Sequence, residues 1–380
     1  MNSSWKARQS GIEMLKILAM AFIIVGHIIQ TFTLKNEYIY DNHIDYLLNL
    51  SQSTLDIQIF ILQLSKHLTY LGNTLFFVCS AFFLLRTDSW SKRKWFRILI
   101  EVWFVSFVFL AVTLGFDIVH ISKMVFVESL FPTTLMVNWY LTCYLLFYPL
   151  HGYLNILIAQ LNKKSLFRIC VAMTFLYFLG AYIKGGVFFY NYLILWISMY
   201  FIVAYMQLYL KDVSRNVRLN ILLLVVGLVG IVFPIVFFDI CGMHVPFLNN
   251  KVCHFAKNNN PFILMTAIAM LNLASKIKLK SKLINVISEQ ALLIYVFHEN
   301  VILRRYIRPQ IADWIYHNIG YERITAWIFL FALVLFLLSL LSAFVWKMIL
   351  EKFIYMISDN VCNIICNKIK KVETKFLMLH

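Results

Sequence analysis

Lys16 and His27 stand eleven residues apart inside the first long apolar stretch of the chain. Ionisable groups placed in lipid are costly and by default raise a functional reading. Eleven steps of 100° return almost to the starting direction, so on a helix both side chains share one face, about 16 Å apart. They could line one pocket or channel. An imidazole, with an ordinary pKa of about 6.5, is the side chain suited to take a proton from a poor nucleophile such as a hydroxyl at neutral pH. A plainer account stands beside this one: Lys16 snorkels to the headgroups and His27 is a buried histidine bonded to a neighbouring helix.

Three further groups have chemistry to offer. Arg86, Lys92, Arg93, Lys94 and Arg97 form the densest basic cluster, which can bind phosphates and is also what a cytoplasmic loop carries without any ligand. Trp139, Tyr140 and Tyr144 open a later apolar stretch, where their rings could stack on a sugar or anchor the helix at the interface. A late stretch holds Ser288, Glu289, Gln290, Tyr295, His298, Glu299 and Asn300, unusually polar for a span, so that its end faces an internal cavity or the outer interface. The seven cysteines form no close CxxC pair. Cys241 and Cys253 share a loop with His244 and His254; a disulfide or metal site there is the lesser reading and ordinary loop residues the better one, so no metal site is expected.

The elements that must position these groups are membrane helices. Hydrophobic residues are 61% of the 380 and charged residues only 14%, a balance whose solvent is lipid. The apolar runs are continuous rather than alternating, which selects helices over a barrel. The expected fold is all-α and polytopic, with about ten transmembrane helices and both termini cytoplasmic. At about 20 residues per crossing, the spans fall near 12–33, 69–85, 95–116, 138–161, 165–183, 188–210, 218–238, 261–274, 283–301 and 324–346.

Charge tests that layout. With the N-terminus inside, Lys35, Lys66, Lys123, Lys184, Lys251, Lys257, Arg304, Arg305, Arg308 and Arg323 fall outside, and the other 24 of the 34 basic residues fall inside or at the inner edge. The net charge of +16 is thereby explained by topology, with the basic residues dispersed between apolar segments, so no nucleic-acid partner is expected. Residues 34–68 read as an outer loop with short interfacial helices. Residues 1–346 read as the membrane domain and 347–380 as a basic amphipathic cytoplasmic tail on the inner leaflet. The first stretch is too long for a removable signal peptide.

Four segments, in order, resemble the acyltransferase 3 family of integral membrane proteins. Residues 10–20, running to Gly26 and His27, are similar to its opening, a basic residue, ten residues, then histidine. Residues 76–84 and the basic cluster after them resemble its second helix and arginine-rich cytoplasmic motif. Residues 138–144 with 153–155 resemble its fourth helix, and 287–300 a late one. The chain departs from the pattern at Lys16, where the family has arginine, and at Ala81, where it has glycine.

The resemblance implies transfer of an acyl group, foremost acetyl, from acyl-coenzyme A to a hydroxyl of a cell-surface or lipid-linked polysaccharide in a bacterial plasma membrane. It casts His27 as general base or acyl relay and Lys16 as a second catalytic residue. Arg93, Lys94 and Arg97 would hold the coenzyme phosphates. Trp139, Tyr140, Tyr144, His298, Glu299 and Asn300 would hold the acceptor. No resident cofactor is implied; acetyl-CoA is a co-substrate, and polysaccharide-assembly proteins are possible partners. The competing readings are a transporter or flippase for a polysaccharide precursor, a membrane scaffold, and a catalytically inactive family member.

Overall fold

The computed structural model describes residues 9–33, 56–87, 89–179, 191–249, 251–319 and 323–377. Every regular element among them is helical: α1 (Ser10–Thr33), α2 (Ile57–Leu84), α3 (Lys92–Gly115), α4 (Lys123–Leu130), α5 (Trp139–Gln160), α6 (Lys163–Met173) with a π-helical turn Thr174–Leu179, α7 (Tyr192–Tyr209) and the short α8 (Lys211–Arg215). Then come α9 (Val217–Gly242), α10 (Pro261–Ala274), α11 (Lys282–Glu289), α12 (Ala291–His298), a second π-helical turn Leu303–Ile307, α13 (Arg308–Ile319) and α14 (Ile324–Leu377).

Seven of these, α1, α2, α3, α5, α7, α9 and α14, are long and apolar enough to cross a membrane. The other three expected spans, near 165–183, 261–274 and 283–301, correspond to shorter pieces: α6 with its π turn, the 14-residue α10, and α11 and α12 parted at Gln290. α2 begins at Ile57, twelve residues before the expected start. Its first three turns carry Gln63, Ser65, Lys66 and His67, whose polarity kept them out of the span expected from sequence. They are tolerated because Gln63, Ser65, His67 and Asn73 are buried, with Gln63 donating to Asp239 of α9 at 3.1 Å and Asn73 to Asn258 at 3.4 Å. Residues 34–55 of the expected outer loop lie outside the described residues. Cys79, Cys143, Cys170, Cys241, Cys362 and Cys366 are free thiols.

α1 is the axis of the bundle and packs along α2, α11, α12, α13 and α14. Its closeness to α2 is set by small residues. A Cβ at Gly26 would lie 1.8 Å from Thr69 Oγ1, and one at Gly72 would lie 2.7 Å from the Ala19 carbonyl. Without a hydrophobic drive between helices in lipid, such close backbone approach is what holds them together. Gly26 directly precedes His27, so this contact also fixes the depth and direction of that side chain.

A proline ties α3 to α5. Pro149 has no N–H, which leaves the Leu145 carbonyl without its usual helical donor. Trp95 fills the vacancy, its indole Nε1 donating to Leu145 O at 2.7 Å. Ser91 caps α3 by accepting from the Lys94 N–H at 3.3 Å. Together these fix the first turns of α3, where the basic cluster lies. α14 continues unbroken past residue 346, so the expected boundary between membrane domain and tail falls inside a single helix.

Candidate active site

His27 is buried, and its Nδ1 faces two groups delivered by the end of α12: His298 Nε2 at 3.0 Å and Glu299 Oε1 at 3.1 Å. The protons on these rings follow from one backbone atom. His298 Nδ1 lies 2.7 Å from the Ile294 carbonyl, which can only accept, so His298 carries its proton on Nδ1 and presents Nε2 as an acceptor. His27 Nδ1 therefore bears the hydrogen that points at both His298 Nε2 and the Glu299 carboxylate. Its Nε2 keeps the lone pair and makes no hydrogen bond among the described residues.

Glu299 is itself held from the far side. Arg308 donates to Oε1 at 2.8 Å, and Arg304 lies 3.5 Å from Oε2 while also donating to the Val137 carbonyl at 3.2 Å. Arg304 and Arg308 are four residues apart, across the π-helical turn and the start of α13, so both reach the same carboxylate. Glu299 and Arg308 are 5% and 2% exposed, and a buried charge needs such pairing. Asn300 uses its side chain to accept from the Ile302 N–H at 3.0 Å, capping the next helical segment.

His27, His298 and Glu299 place one donor atom each within 4.8 Å of one another, close enough for a metal ion. The charges around them argue for hydrogen bonding instead. Two guanidinium groups already neutralise Glu299, and a cation there would meet both.

Two cavities approach this cluster from opposite ends of the bundle. The larger, about 560 Å³, opens at the basic end. All of Lys94, Arg97, Lys347, Glu13, Lys16, Tyr144, Ile23, Tyr140 and Tyr295 line it; their order along the helices puts the first three at its mouth, the next three in its middle and the last three at its tip. The smaller, about 280 Å³, lies at the other end and is lined by His27 with Gln30, Lys66, Asn73, Trp139, Tyr192 and Asn258. Ile23 and His27 are four residues apart on α1, about 6 Å of helix, so one turn separates the two spaces. Tyr140 and Tyr295, ring centroids 5.9 Å apart, stand at the partition, and Tyr295 lies edge-on to His298 at 5.5 Å.

The residues singled out from sequence are thus sorted among three places. Lys16 and His27 do not share a pocket: Lys16 lines the larger cavity, paired with Glu13 at 3.1 Å, and His27 lines the smaller. Lys94 and Arg97 line the larger cavity, whereas Arg93 stays exposed at the start of α3, outside that lining. Trp139 belongs to the smaller cavity, its ring tilted 31° to that of Tyr192 with centroids 4.2 Å apart, while Tyr140 and Tyr144 belong to the larger. His298, Glu299 and Asn300 line neither. The first two hold His27, and the third caps a helix.

Glu13, Arg304, Arg308, Asn73 and Asn258 were not singled out from sequence. Glu13 accepts from Ser288 at 2.5 Å as well as from Lys16, joining α1 to α11. An acidic residue inside an apolar stretch was the available signal for it. The two arginines were among the ten basic residues placed outside, against the positive-inside trend, and that departure was the available signal for them.

A family described as an acyltransferase domain matches residues 9–345 of the chain. No curated protein and no solved structure matches the sequence.

Proposed function

Because the chain belongs to the acyltransferase 3 family, we propose that it is a multi-pass O-acyltransferase of the bacterial plasma membrane, moving an acetyl group from acetyl-coenzyme A to a glycan hydroxyl. The observation that carries this reading is the placement of His27. Its Nδ1 is held by His298 and Glu299, and its Nε2 has no partner among the described residues. The ring forms part of the smaller cavity, one helical turn from the tip of the larger.

The larger cavity suits the donor. Lys92, Arg93, Lys94 and Arg97 occupy the first two turns of α3, where the helix dipole disfavours cations and favours anions. Cations concentrated there serve a phosphate group better than they serve the helix. From Glu13 to Ile23 the cavity follows about 15 Å of α1, a path that an extended phosphopantetheine arm spans. Its thioester would then lie at Ile23, Tyr140 and Tyr295. The smaller cavity suits a sugar, with the Trp139 and Tyr192 rings as a stacking surface and the Gln30, Asn73 and Asn258 amides for hydroxyls.

His27 Nε2 takes the proton as the acceptor hydroxyl oxygen attacks the thioester carbonyl. The Glu299 carboxylate stabilises the imidazolium so formed through Nδ1–H. Collapse of the tetrahedral intermediate breaks the carbon–sulfur bond, and the thiolate leaves with the proton from Nε2. Positive-inside topology places the basic end in the cytoplasm, so donor and acceptor arrive from opposite faces and no acyl-histidine is needed.

Mass spectrometry of surface glycans tests this, comparing cells with the wild-type chain, with His27→Ala, and with no chain. An acetyl increment seen only with the wild type is expected, with His27→Ala reduced about 10²–10⁴-fold. Unchanged acetylation in cells without the chain, or an altered amount of glycan of unchanged mass, overturns the proposal.

A further inference from the structure

The larger cavity is walled in part by chain that lies beyond the family domain. α14 leaves the domain at residue 345 without a break, and its next turns bring Lys347 and Tyr355 into the cavity lining. One turn further on, both carboxylate oxygens of Asp359 lie 3.4 Å from Arg97 Nη2. The Tyr355 ring lies against the same guanidinium, 4.1 Å from its centroid. One of the cations at the mouth of the cavity, Arg97, is therefore occupied by an acid from outside the domain.

The hold is a weak one. Arg97 and Asp359 are 35% and 33% exposed, and a single guanidinium nitrogen meets both oxygens at long range, without the parallel two-nitrogen geometry of a strong arginine–carboxylate pair. A phosphate carries more charge and more acceptor oxygens than the carboxylate it would replace. Tyr355 can keep the guanidinium in place during such an exchange, through its ring face. Lys347, 3.3 Å from Glu289, is held by an acid in the same manner.

We propose that residues 347–359 complete the donor's phosphate site and that Asp359 is its internal counter-anion, holding Arg97 until a phosphate of the donor takes its place. This rests on the reading of the larger cavity as the donor site. It makes the tail a component of donor affinity, and Asp359 a residue that weakens it.

The test is calorimetric titration of the full chain in lipid nanodiscs with two probes, desulfo-coenzyme A and inorganic pyrophosphate. The wild type is compared with Asp359→Asn, Asp359→Glu, Arg97→Gln and the Asp359→Asn/Arg97→Gln double variant. Asp359→Asn is expected to bind both probes about two- to fivefold more tightly, the range that an exposed ion pair is worth. Asp359→Glu should retain wild-type affinity, and the gain should vanish in the double variant. Pyrophosphate binding that tightens in Asp359→Asn while desulfo-coenzyme A fails to bind would remove the coenzyme reading and keep the exchange. Both probes binding with no response to Asp359→Asn, or with weaker binding, would refute the exchange and keep the donor site. Binding of neither probe would refute both.

Discussion

Glu299→Gln separates what this carboxylate does for the fold from what it does for His27. For the fold, the substitution leaves the Arg308 guanidinium, 2% exposed, without its 2.8 Å partner. Removing one member of a buried ion pair costs about 3–5 kcal/mol, whereas replacing both by apolar groups is often neutral. The double variant Glu299→Gln/Arg308→Met should therefore regain most of the stability that the single one loses. For the reaction, an imidazolium at His27 faces the carboxylate at 3.1 Å. With an effective dielectric of about 20, that attraction is about 5 kcal/mol. Arg308 and Arg304 share the carboxylate, so about half of it, roughly 10²-fold in rate, is expected to be lost. Most of the loss should persist in the double variant, which also lacks the carboxylate; removing the Arg308 cation, which repels an imidazolium at His27, returns only part of it. The assay is transfer from radiolabelled acetyl-CoA in nanodiscs, normalised to folded protein and set beside thermal unfolding of each variant. Recovery of full wild-type activity along with stability in the double variant would refute the catalytic role and leave Glu299 a structural anchor.

Gly26→Ala should push α1 away from Thr69 and displace His27; activity is expected to fall at least tenfold while desulfo-coenzyme A affinity stays within about twofold, as titration can show. Arg97→Gln should raise the KM for acetyl-CoA about tenfold with kcat little changed, because it removes binding shared by ground and transition states. Trp139→Ala should raise the KM for the glycan acceptor, by about 1–3 kcal/mol of lost stacking, and leave the KM for acetyl-CoA unchanged. An effect on the donor instead would reverse the assignment of the two cavities.

Local spacing carried some of this site in the sequence and misled elsewhere. The placement of Lys16 and His27 on one face of α1 was sound geometry, but a helix face about 16 Å long can pass from one cavity into another. Trp139 and Tyr140 differ by 100° around α5, whereas Tyr140 and Tyr144 differ by only 40°. That is why the structure groups the last two in one cavity and sends Trp139 to the other. The same arithmetic was available from the sequence, although it names neither cavity.

The partners of His27 were beyond reach for a different reason. His298 lies 271 residues away, and the late polar run announced itself only as polar. Glu299 reads equally well as a ligand for a sugar until Arg304 and Arg308 are seen to occupy it. Those arginines fell on the outer side, against the positive-inside trend, but a count of loop cations does not say which acid each one meets. The break at Gln290 falls in the polar run Ser288–Gln290, which reads equally well as functional side chains, because hydropathy does not report the path of the backbone. What composition could not supply in each case was a pairing across the bundle, and the chemistry of His27 depends on such a pairing. An imidazole in a membrane helix is only a polar residue until the Ile294 carbonyl fixes His298, His298 and Glu299 take the Nδ1 proton, and Nε2 is left to accept one.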